Sequence, residues 1–60
     1  MDKEELFKMW ESEVWDPYGD DEIMQDQYFS GVAIGFFIAK GLTPSEALEV
    51  YDYCIKKGKF

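Results

Sequence analysis

The chain has sixty residues and carries thirteen Asp and Glu against six Lys, a net charge of −7, with no His and no Arg. So short a chain makes a single small domain, 1–60, burying only about 60% of the surface its unfolded form exposes, and nothing in the composition staples it. Cys54 is the sole cysteine, so no internal disulfide forms, and no Cys/His set exists for a structural zinc. The negative field repels nucleic-acid phosphate and anionic lipid headgroups, which argues against direct nucleic-acid binding and against a membrane surface as partner.

The first predicted helix spans 2–15. Asp2 stands as N-cap with Glu5 three residues on, the spacing of a capping box. Leu6, Trp10 and Val14 recur at intervals of four, flanked by Phe7 and Met9, and form one apolar stripe. Asp16-Pro17 should end the helix, because the residue before proline is pushed out of the α region, and Tyr18-Gly19-Asp20 supplies turn chemistry. At about 100° per residue, Trp15 projects away from the stripe, toward Glu4, Lys8 and Glu11, if the helix extends that far; otherwise it folds back under the Pro17 turn.

Asp20 or Asp21 caps a second predicted helix, 21–40, with Gly41 placed for the left-handed position after its end. Residues 28–39 are uncharged, too few to span a bilayer, which takes roughly 20 residues. Phe29, Val32 and Phe36 occupy one side of the wheel, Phe37, Ile34 and Ile38 the next, and Gly31, Gly35 and Ala39 the rest, so the helix has no wet face. Glycine inside a helix costs about 0.8–1 kcal/mol relative to alanine, so a close neighbour should offset it at Gly31 and Gly35. Either another helix of the same chain fills the strip formed by Gly31, Gly35 and Ala39, or a second chain does.

The third predicted helix, 44–57, has the clearest start in the sequence. Thr43-Pro44-Ser45-Glu46 places a hydroxyl at the N-cap, proline at the first helical position and glutamate at N3. Ala47, Leu48, Val50, Tyr51, Cys54 and Ile55 then make a broad apolar face, and Tyr53 falls outside it among Glu46, Glu49 and Lys57. Short connections favour antiparallel neighbours, so the expected fold is all-α: a compact three-helix bundle that dimerises through its middle helix.

Charge is unevenly distributed along this fold. Residues 1–26 hold ten acids and two lysines, a net of −8, whereas residues 27–60 net +1. Asp2, Glu5, Asp20, Asp21 and Glu22 are explained as caps or first-turn acids, but Glu4, Glu11, Glu13, Asp16 and Asp26 are not. Together with Trp15, Tyr18 and Tyr53, aromatic types enriched at binding hot spots, they form the expected partner-binding face.

The parts needed for catalysis are missing. No His serves as base, and Ser12, Ser30, Thr43 and Ser45 sit in no nucleophile motif. Cys54 lies on an apolar face where a thiol is inert. A calcium loop begun at Asp16 would put Asp21 where glycine is required and Gln27 where a bidentate Glu should stand, and the glycines match no phosphate loop. The sequence therefore predicts no catalytic, metal or cofactor site. Its acidic N-terminal residues do not resemble a targeting signal, so a cytoplasmic setting is expected. The function read from these features is a small acidic protein-interaction module that engages a basic surface of a target protein, after the manner of phage inhibitors that mimic DNA. The alternative is a self-associating structural or regulatory helical dimer with no such mimicry.

Overall fold

The computed structural model describes residues 2–58. All regular structure among them is helical: α1 (Lys3–Trp10), a π turn (Glu11–Trp15), α2 (Asp16–Tyr18), α3 (Glu22–Gln27), α4 (Phe29–Ala39) and α5 (Pro44–Lys56). Asp2 caps α1 by accepting from the Glu5 N–H at 2.8 Å.

Two predicted boundaries are corrected. The first helix does not stop before Pro17. Asp16 N–H bonds the carbonyl of Glu11, five residues back, and the chain stays helical to Tyr18. In an α-helix Pro17 would lose its bond to Glu13 and press its ring on that carbonyl; the wider π turn relieves that conflict. The second helix is not continuous over 21–40. Tyr28, at φ −124° and ψ −24°, interrupts it and separates α3 from α4. Asp21 is the cap of α3, accepting from the Met24 N–H at 3.1 Å.

Other signals act as the sequence predicts. Gly41, at φ +101°, follows α4, with Gly41 N–H donating to Ile38 at 2.9 Å and Leu42 N–H to Phe37 at 3.3 Å. This bond pair is a Schellman motif, which requires a residue without a Cβ penalty at that φ. Thr43 and Glu46 complete a reciprocal capping box, Glu46 N–H to Thr43 Oγ1 at 3.3 Å and Thr43 N–H to Glu46 Oε1 at 3.0 Å. The bond from the Thr43 backbone, then that from its side chain, holds the Glu46 carboxyl below its ordinary pKa.

The core is built by α1, α4 and α5. Leu6, Phe7 and Trp10 come from α1, Phe29, Ala33 and Phe37 from α4, and Ala47, Val50 and Cys54 from α5; Val14 of the π turn completes it. Trp10 is the hub, its ring 5.5 Å from Phe29, 6.0 Å from Phe36 and 6.1 Å from Phe37. The pairs with Phe29 and Phe36 are edge-to-face, a geometry that adds about 0.5–1.5 kcal/mol each beyond burial. Burial pushes the Cys54 thiol up to about 11. In contrast, α2 and α3 contribute no buried residue.

Candidate functional site

The π turn also decides where Trp15 goes. Its extra residue per turn brings a side chain five positions after Trp10 back over the same face. Trp15 is consequently half-buried with its ring 6.0 Å from Phe29, and it packs under Gly19, where an added Cβ would stand 2.5 Å from the Trp15 carbonyl oxygen. Of the two directions open to Trp15, the structure therefore shows the fold-back near the Pro17 turn and not the projection toward Glu4, Lys8 and Glu11.

Tyr53 is likewise occupied within the chain. Its ring meets Phe7 edge-on at 6.0 Å, its hydroxyl donates to the Glu4 carboxylate, and Lys57 Nζ lies 5.4 Å from its centroid. Glu4, first as hydrogen-bond acceptor, raises the phenol's pKa. Glu4 also lies 3.9 Å from Lys57, and Glu13 lies 3.5 Å from Lys40. These exposed pairs are of the kind worth only about 0–1 kcal/mol, but they place both carboxylates at seams between helices. Glu11 is half-buried. The expected face thus divides: Glu4, Glu13, Trp15 and Tyr53 help hold the fold, while Asp16, Tyr18 and Asp26 remain exposed.

Those three belong to an acidic arm, residues 16–28. Between Lys8 and Lys40 the sequence has no cation and seven acids, five of them, Asp16, Asp20, Asp21, Glu22 and Asp26, on the arm. Ion pairs to these five are absent among the described residues. Interleaved with them, Tyr18, Ile23 and Tyr28 are 51%, 64% and 53% exposed. The sequence reading missed Ile23 and Tyr28, because a continuous helix 21–40 put Asp20, Asp21 and Glu22 down to cap and first-turn chemistry and Tyr28 into the buried run. The arm's attachments are few: Met24 packs on the core, the Gln25 side-chain amide donates to the Gly19 carbonyl, and Gly19 N–H bonds Trp15 at 2.6 Å.

A second surface is apolar. Gly31, Gly35 and Ala39 are exposed, and an added Cβ on either glycine meets nothing within 4 Å. Among the described residues, neither α1 nor α5 fills the strip. The broad apolar face expected on α5 is also only partly used. Leu48 and Ile55 stand 53% and 46% exposed, with Ile38 of α4 at 41%.

No protein-family model, curated protein or solved structure matches the chain. Its two surfaces must therefore speak for themselves. Among the described residues no group of acidic, Cys or His side chains converges to hold a metal, and no helix is long and apolar enough to cross a membrane. A shallow concavity lined by Lys3, Leu6, Lys40, Leu42, Glu46 and Glu49 mixes both signs of charge and presents no convergent set of like partners.

Proposed function

We propose that this protein is an interaction module that docks its acidic arm on a basic surface of another protein, one suited to nucleic-acid phosphate. The observation that carries the reading is the arm itself, where unpaired acids alternate with exposed Tyr18, Ile23 and Tyr28. Acids of this density steer encounter with a positive surface, and desolvated aromatic or aliphatic anchors then supply residence time. An occupant of a nucleic-acid groove acts as an inhibitor by exclusion, so DNA mimicry is the proposed mode. A bundle of α1, α4 and α5 is its scaffold, and the reducing cytoplasm suits its lone thiol.

The test is affinity capture from a lysate with the wild-type chain and with Asp16→Asn/Asp20→Asn/Asp26→Asn. A partner held by the wild type should be lost with the triple variant and with salt raised to about 500 mM, since screening shortens the Debye length to a few ångströms. The captured partner's nucleic acid should compete for the same site. Capture indifferent to both changes refutes the reading.

A second reading, self-association through α4, is supported by a separate observation. Gly31 and Gly35 hold open a strip that none of the described residues covers, at a helix-propensity cost of about 0.8–1 kcal/mol per glycine.

A further inference from the structure

The apolar surface extends beyond α4. On α5, Tyr53 marks the flank that meets α1, through Phe7 and Glu4. Leu48, Tyr51 and Ile55 lie on the opposite flank of the buried Ala47, Val50 and Cys54 line. On α4, Phe36 against Trp10 and Lys40 against Glu13 mark the α1 flank, and Ile34 and Ile38 lie on the other. The two helices are joined only by residues 40–43, so they are antiparallel neighbours and their outward flanks adjoin. Gly31, Ile34, Gly35, Ile38, Leu48, Tyr51 and Ile55 therefore form one face, and none of them is charged.

We propose that a second copy of this chain covers the whole α4–α5 face, about a two-fold axis crossing α4 between residues 34 and 35. This rests on the self-association reading and specifies its surface and register. Three features select a second copy as occupant. First, an isologous contact requires that residue i meet j while j meets i. An antiparallel pairing about that axis sets Ile34 on Gly35 and Ile38 on Gly31 of the second copy, and the converse, so each branched side chain enters a gap left by a missing one. Second, a chain of net charge −7 meets its own copy at least electrostatic cost through an uncharged face. Third, seven residues from each copy, with Ile38, Leu48 and Ile55 about half exposed, amount to roughly 1,000 Å² in total, the lower bound for a specific interface.

The experiment is sedimentation equilibrium from micromolar to millimolar concentration on the wild type, Leu48→Glu, Ile55→Glu and Gly35→Leu, with circular dichroism to confirm folding. Leu48 and Ile55 are exposed in the single chain, so their glutamate variants should stay folded yet weaken the dimer at least tenfold. Gly35→Leu should do the same by blocking the seat of Ile34. A wild type monomeric at millimolar concentration overturns self-association itself. A wild-type dimer that folded Leu48→Glu and Ile55→Glu leave unchanged overturns the composite face while α4 association stands. Oxidation of Gly35→Cys, beside the axis, should give a disulfide-linked dimer, and Glu49→Cys should not; the reverse order overturns the register.

Discussion

The core of α1, α4 and α5 and the arm of residues 16–28 are built from the same chain on different terms. In the core, ten residues are buried, with Trp10, Phe29 and Phe37 interlocked. The arm has five acids, three exposed apolar side chains and no residue fully buried. Its folded geometry is held by a few local bonds and by Met24. Where the core maximises burial per residue, the arm leaves anchoring groups in solvent, which gains nothing for an isolated chain. The contrast teaches that the groups buried for stability and the exposed acids and aromatics lie on separate stretches, so each set can be perturbed without the other.

The largest expected effect lies in the core. Phe37→Ala removes a fully buried ring, and such changes cost about 3–5 kcal/mol. A single core of this size rarely supplies more than about 3–5 kcal/mol in total, so the variant should lose its helical circular dichroism at 25 °C, arm included. Gly19→Ala is next, at roughly 1–3 kcal/mol, because the new Cβ would stand 2.5 Å from the Trp15 carbonyl oxygen. Its loss should be local: faster amide exchange at Met24 and Gln25 and a red-shifted Trp15 emission, with core amides protected. Core protection falling equally would erase the distinction between the two regions.

Alkaline titration probes the core through Cys54, with Cys54→Ala separating that contribution from those of other groups such as Tyr53. The Cys54 thiol is raised to about 11 when folded, whereas an unfolded thiol ionises near pH 8.5. Between these values the unfolded chain binds fewer protons than the native one, so stability falls as pH rises, by up to ~3 kcal/mol. Urea midpoints measured from pH 7.5 to 10.5 should decline more steeply for the wild type than for Cys54→Ala. The smallest effect belongs to the arm. Ile23→Ser and Asp26→Asn touch exposed groups and should change stability within about ±0.5 kcal/mol, while weakening capture of the basic partner. A stability loss comparable to Phe37→Ala would mean that the arm belongs to the core.

The helices of this fold were legible wherever local chemistry sets them. The cap at Asp2, the Thr43 box and the turn at Gly41 each involve residues within a few positions, and each appears as its residue types dictate. Pro17 misled because its usual effect was averted by a π turn, which has no fixed sequence signature, and the same turn decides between the two directions open to Trp15. The break at Tyr28 was hidden in a run of helix-compatible residues. Exposure was hardest to read. Whether Gly31 and Leu48 face a neighbour or solvent depends on which flank α1 takes, a tertiary fact set by Phe7 with Tyr53 and Trp10 with Phe36.

The bond from Tyr53 to Glu4 joins residues 49 positions apart, with Lys57 beside them. It brings the first turn of α1 beside the last turns of α5, so the first and last helices of the described chain meet at one edge. A circular permutant follows from this geometry. With a short linker closing that edge and new ends opened at residues 19–20, where the chain turns in solvent and no buried side chain is cut, every core helix keeps its partners. The same topology lets the domain be spliced into a loop of another protein as an insert, presenting its acidic arm away from the splice.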